Sequence, residues 1–166
     1  LKARLDAGEP LPFDVIGSAT EGVAEVFSTV AIALNGQTPD VFTLSFARAA
    51  EALQPGQVDA LLLSAGLLEN LGRYDLAIAA YDRIPKGSDY HYVAEVGRAE
   101  ALRKADKPDE AIEVLKRLSQ DYDTLPGIFV SLGDSLRRAE RYDEATSAYD
   151  RAIELYGPPQ EGQWLT

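Results

Sequence analysis

Apolar residues recur three and four apart through most of the chain, the spacing that lines one face of a helix. Leu61, Ala65 and Leu68 form one such stripe, and Ala77, Tyr81 and Ile84 form the next. The same arrangement returns in Ala111, Leu115 and Leu118, in Phe129, Gly133 and Leu136, and in Ala145, Tyr149 and Ala152. Polar turns separate the stripes: Leu71-Gly72-Arg73, Ala105-Asp106-Lys107 and Ala139-Glu140-Arg141. Asp75, Asp109 and Asp143 follow these turns, where a carboxylate meets the free backbone N–H groups and positive dipole end of an opening helix. Pro108 suits a first helical turn, because its missing donor has no partner there. The pattern predicts helix–turn–helix units and no strands.

These units repeat. Arg73-Tyr-Asp-Leu-Ala-Ile-Ala-Ala-Tyr-Asp-Arg83 returns as Arg141-Tyr-Asp-Glu-Ala-Thr-Ser-Ala-Tyr-Asp-Arg151, with eight of eleven residues identical at an offset of 68, twice 34. Midway lies Lys107-Pro-Asp-Glu-Ala-Ile-Glu-Val-Leu-Lys-Arg117, which keeps the Asp, the Ala and the closing Arg. A fixed period of this size marks a solenoid, in which each unit buries its apolar face only against its neighbours. Small residues at matching positions (Ala65, Ala99, Gly133; Ala77, Ala111, Ala145) let paired helices approach closely. Tyr81, Leu115 and Tyr149 then fill the gaps between units.

On the residues Leu61, Ala65, Leu68, Gly72, Tyr74, Ala77 and Tyr81, and again Phe129, Leu132, Gly133, Leu136, Tyr142, Ala145, Tyr149 and Ala152, the chain resembles the tetratricopeptide repeat family. The resemblance implies an all-α, right-handed α-solenoid of stacked antiparallel helix pairs. It divides the chain into units 58–91, 92–125 and 126–159, a degenerate unit 24–57, an N-terminal helix and connection 1–23, and the start of a further helix at 160–166. In the degenerate unit Phe27, Ala31 and Leu34 make one face and Phe46, Ala50 and Leu53 another, while Thr43 and Ala47 depart from the family pattern. The middle unit departs too: Glu95 and Arg98 stand where the family has an aromatic and a leucine. Pro85 is expected to end the preceding helix early, with Ser88 or Asp89 capping an early start of the next.

In this family the first helices line a concave groove that binds peptides or protein segments. Residues 34 apart then form rows along it: Ser28, Leu62, Val96, Val130; Ile32, Gly66, Glu100, Asp134; and Asn35, Glu69, Arg103, Arg137. The candidate protein-binding residues are therefore Leu62, Gly66, Glu69, Val96, Glu100, Arg103, Val130, Asp134 and Arg137. An apolar strip beside charged rows suits a partner with aliphatic anchors. Two plainer readings stand beside this one. Glu100 with Arg103, and Asp134 with Arg137, are i,i+3 pairs that can simply satisfy each other, and the apolar row can pack inward. The Lys and Asn clamp of the chaperone-binding members is missing, because Ser28, Leu62, Val96, Gly66 and Glu100 occupy the matching slots.

Charge and composition narrow the function further. Sixteen Lys and Arg against 27 Asp and Glu give −11, which argues against nucleic acid or an anionic membrane as partner. There is no Cys, and His91 is the one histidine, so no metal, cofactor or His-based catalysis is expected. Asp121, Asp123, Glu140 and Asp143 lie at helix ends, where capping and solubility account for them, and no Gly-rich phosphate loop is present. The recurring tyrosines are expected in the core. The longest uncharged run, Val26 to Pro39, falls short of the ~20 apolar residues a membrane span needs. Met is absent throughout, and no polar capping helix is visible at either end, so the chain reads as a fragment of a larger bacterial protein. The expected function is a non-enzymatic scaffold for a protein or peptide partner. The alternatives are self-association through uncapped ends, including a homodimer, and an accessory domain to an enzyme.

Overall fold

A computed structural model describes residues 16–157, and the helix at Leu1 to Ala7 and the segment Gln163 to Thr166 fall outside them. Within the described residues the chain forms eight helices and no strand. They are α1 (Ala19–Leu34), α2 (Asp40–Leu53), α3 (Val58–Asn70), α4 (Tyr74–Asp82), α5 (His91–Lys104), α6 (Pro108–Asp121), α7 (Pro126–Arg138) and α8 (Tyr142–Tyr156). Each helix packs on the next in sequence, giving a continuous stack of antiparallel pairs. The first helices also touch one another across pairs (α1 with α3, α3 with α5, α5 with α7), whereas successive second helices do not. The stack therefore curves toward the first helices, which line its inner face.

The turns show why the period holds. Gly72, Asp106 and Glu140, each 34 from the next, all adopt left-handed backbone with φ of 68°, 61° and 59°. Across each turn an amide reaches back to the helix it leaves: Arg73 to Leu68, Lys107 to Leu102 and Arg141 to Leu136, at 2.8, 3.0 and 2.9 Å. These bonds satisfy carbonyls that a helix end otherwise leaves unpaired. Helix α1 opens on Ser18, whose hydroxyl accepts from the Glu21 amide at 3.2 Å while Glu21 reaches back to the Gly17 amide. It starts ahead of position 24. Pro108 and Pro126 each begin a helix, and Gly157 at φ 72° ends the last.

The predicted small-against-large packing is present. Ala65, Ala77, Ala99, Ala111 and Ala145 are buried, together with Leu61, Leu115, Leu118 and Leu136. At Gly133 and Gly97 the rings of Tyr149 and Tyr81 lie where a Cβ would stand, at 2.6 and 2.5 Å. In the degenerate pair Ala50 is fully buried, and the departing residues Thr43 and Ala47 are as well. Thr43 meets the Thr38 hydroxyl at 2.8 Å, which removes the cost of burying its own.

Several expectations need correction. Asp75, Asp109 and Asp143 do stand in the first turn of their helices, at the positive dipole end, but each is the second helical residue and no side-chain cap bond forms there. Asp75 and Asp109 instead face cations of the following turn, Lys107 at 3.5 Å and Arg141 at 4.0 Å. The tyrosines divide: Tyr81 is buried, but Tyr142 and Tyr156 are 62% and 66% exposed. Ser28, placed in a groove row, is buried, and Phe27 and Leu34 lie half-buried on the free side of α1. The deepest stripe of α7 is Ile128, Leu132 and Leu136, with Phe129 at its edge beneath the Arg151 guanidinium. Helix α4 does end ahead of Pro85, and Ser88 accepts from the Tyr90 amide at 3.2 Å rather than from the helix it precedes.

Candidate functional site

Every one of the nine candidate residues lies on a first helix, α3, α5 or α7, and so on the inner side of the stack. Four of them, Val96, Glu100, Arg103 and Asp134, line one cleft of about 220 Å³ between α5 and α7. Its floor is Ala99 with Leu115 from α6, and its far wall carries Ser131, Ser135 and Arg138. Arg138 adjoins Arg137 of the charged row, and the two serines carry no sequence signal beyond their i+4 spacing. Their hydroxyls bond back to their own helix, at Gly127 and Ser131, so neither is tied across the cleft.

The other five candidates are placed differently. Leu62 packs against the core cluster built on Leu61 and Ala65, and Val96 packs against the cluster built on Leu115, so the apolar row is partly inward. Val130 is half-buried outside the cleft lining, and Gly66 has open space beside it. Glu69 is largely enclosed: it accepts from the Tyr81 hydroxyl at 2.8 Å and from Lys104 at 3.0 Å, which ties α3 to α4 and to α5. Arg137 is exposed beside Tyr149 and Asp134.

The i,i+3 pairs form as the plainer reading held. Arg103 grips Glu100 through two nitrogens, one of them at 2.8 Å, and Arg137 stands 3.5 Å from Asp134. The Arg103 hydrogen bond holds the Glu100 carboxyl below its ordinary range, against the opposing effect of burial. Lys104 is raised, chiefly by its bond to Glu69. With Glu69, Glu100 and Asp134 each facing a cation, Arg138 is the remaining inner-face charge at this cleft, with no ion pair among the described residues. The first helices thus turn an apolar floor and one surplus positive charge toward the inside of a chain that is strongly acidic overall.

His91 is the first residue of α5 and is nine-tenths buried. Among the described residues no three His, Cys, Asp or Glu groups come together as a metal site, and no helix is long and apolar enough to cross a membrane.

A family model described as tetratricopeptide repeat matches residues 45–91 and 96–158. No curated protein matches the sequence. Among solved structures the fold is similar to that of MamA proteins. A MamA RS-1 double mutant aligns with a TM-score of 0.71 at 15% identity, over 84% of this chain and 77% of that one. MamA 41-end from Desulfovibrio magneticus RS-1 aligns with a TM-score of 0.68 at 17% identity, over 83% and 76%. A further MamA crystal structure gives 0.71 at 14% identity, over 80% and 78%. At these identities the likeness is one of fold.

Proposed function

The chain belongs to the tetratricopeptide repeat family, and we propose that it is a non-enzymatic scaffold holding an extended segment of another protein along its inner face. The cleft between α5 and α7 carries this reading. Val96, Ala99 and Leu115 offer an apolar seat for an aliphatic side chain, and Arg138 beside them favours a carboxylate next to that anchor. The electrostatics oppose catalysis at the same place. Glu100 is held below the carboxylate range by Arg103, whereas a general acid working near neutral pH needs a raised one.

Random peptides displayed on phage and selected on the immobilised protein test this. Enriched peptides are expected to pair Leu, Ile or Val with Asp or Glu. Ser135→Trp fills the cleft without removing a contact between helices, so it should abolish their capture while circular dichroism stays helical. Selected peptides that bind Ser135→Trp undiminished place recognition elsewhere.

A second reading, self-association, rests on the free side of the first pair. Val23 and Val26 of α1 and Phe42 of α2 are 47%, 61% and 52% exposed. Phe42 stacks edge-on against Phe46, which in turn meets Phe27, so the apolar surface is continuous across both helices. Such a face is suited to a second copy of itself. Sedimentation should show a dimer that Phe42→Glu turns into monomer; a wild-type chain that stays monomeric at high concentration rules this out.

A further inference from the structure

The junction of α4 with α5 breaks the repeat in three places at once. Glu95 and Arg98 occupy positions held 34 residues away by Leu61 and Phe129, and by Ser64 and Leu132. Arg98 grips Glu95 through two bonds of 2.9 and 2.6 Å, with side chains only 19% and 16% exposed. An enclosed ion pair is commonly no better for stability than the apolar packing it replaces, so packing alone does not explain this exchange.

The second break concerns the arginine that closes each unit. Arg83 donates to the Pro55 carbonyl at 2.9 Å and Arg151 to the Asp123 carbonyl at 3.4 Å, both 28 residues back. The matching bond from Arg117 would reach Asp89, and it is not made. Arg117 contacts only the Glu113 carbonyl of its own helix, at 3.4 Å, and its side chain lines a cleft instead. The third break is His91, nine-tenths buried in the same cleft with its Nδ1 unpartnered.

This cleft holds about 330 Å³ and lies at the end of α5 away from Glu100 and Arg103. Its charges do not cancel group by group. Arg98 is answered by Glu95 and, at 3.8 Å, by Asp82. Lys86 and Arg117 face the cleft without an ion pair among the described residues, and Asp121 is the one acid opposite them that no cation engages. The lining holds three cations (Lys86, Arg98, Arg117) and three acids (Asp82, Glu95, Asp121), so what it offers an anion is two cations without ion pairs, a planar guanidinium suited to two parallel hydrogen bonds, and a buried imidazole at a helix N-terminus.

We propose that the cleft binds an oxyanion, the carboxylate or phosphate group of a small molecule, between Arg117 and Lys86 with His91 donating to it. Nothing within the described protein partners the His91 Nδ1, so the imidazole is a polar side chain of this cleft left for a ligand. This site is separate from the inner-face cleft and does not depend on what binds there. With −11 overall the chain repels anions in general, so a saturable response to one has to be local.

The single histidine makes the test specific, because every imidazole resonance in the spectrum belongs to His91. The ring signals are followed by NMR at fixed pH and fixed ionic strength, while inorganic phosphate or succinate replaces chloride. A saturable shift is expected in at least one arm, and the arm that responds identifies phosphate or carboxylate as the group taken. Arg117→Gln and, separately, Lys86→Gln should weaken binding about tenfold or more, as loss of a charge-assisted bond does. Arg73→Gln, an exposed cation elsewhere, should leave it unchanged. A response that stays linear to roughly 50 mM in both arms, or that survives in Arg117→Gln and Lys86→Gln folded as wild type, overturns the proposal.

Discussion

Leu115→Ala is expected to cost about 3 kcal/mol of folding stability, in the middle of the range for truncating an enclosed leucine. The side chain is 1% exposed and belongs to one cluster with Ala99 and Leu102 of α5, Ile112 of α6, and Leu132 and Leu136 of α7. Its loss therefore weakens three helices together. Collapse into the space is hindered, because Ala99, Ala111 and Ala145 already bring the backbones close. In a chain of this length the change corresponds to a fall of roughly 6–12 °C in melting temperature. Leu53→Ala provides the contrast: that residue is 36% exposed near the free side of the first pair, and under about 1 kcal/mol is expected there. Urea unfolding followed by circular dichroism measures both. A loss below about 1 kcal/mol at Leu115 would mean that α5, α6 and α7 do not share one core. Because Leu115 also floors the inner-face cleft, a tolerated Leu115→Ala should deepen the seat and shift the peptides selected toward larger side chains.

Much of this architecture was legible before any coordinate, for a definite reason. A solenoid buries each unit only on its neighbours, so the same physical demand recurs at a constant step and marks the same positions. The stripes Leu61, Ala65, Leu68 and Ala111, Leu115, Leu118 were read correctly for that reason. Legibility failed where the demand changes. Ser28 and Phe27 exchange their expected roles: the enclosed residues of α1 are the small ones, Ala24, Ser28 and Ala31, while Phe27 is half-buried. Tyr142 sits at a family position yet is exposed. The candidate groove was half legible. The family resemblance, with the 34-residue step, put all nine residues on the first helices, but it did not say that Glu69 is closed off by Tyr81 and Lys104, or that Ser131 and Ser135 line the opening. Those facts depend on side-chain direction between helices, which a period does not encode. Glu95 and Arg98, by contrast, stood out in the sequence as departures, and the polar cleft lies where they are.

Gly97→Ala should destabilise the fold by roughly 1–3 kcal/mol, although alanine is by about 1 kcal/mol the better helix former. A Cβ at this mid-helix position would stand 2.5 Å from Tyr81 Cζ and 2.7 Å from its hydroxyl oxygen. The ring has little freedom to yield. It is 8% exposed, lies in the cluster with Ala77 and Ala80, and its hydroxyl is held by Glu69 at 2.8 Å. Gly66 in α3 meets nothing within 4 Å of its added Cβ, so Gly66→Ala should instead gain about 0.5–1 kcal/mol. The opposite signs of two identical substitutions, each inside a first helix, isolate the steric cause. Tyr81→Leu in the Gly97→Ala background removes the clashing ring end and should recover part of the loss, beyond what the two single changes predict by addition. Ionisation offers an independent reading. Burial, and then the bond to Glu69, push the Tyr81 hydroxyl above the ordinary tyrosine range, so in the wild type it should be the last described tyrosine to ionise on alkaline titration. In Gly97→Ala the displaced ring should ionise with the exposed tyrosines. If Gly97→Ala proves as stable as the wild type and keeps the late-ionising tyrosine, α5 does not approach α4 as closely as this contact requires.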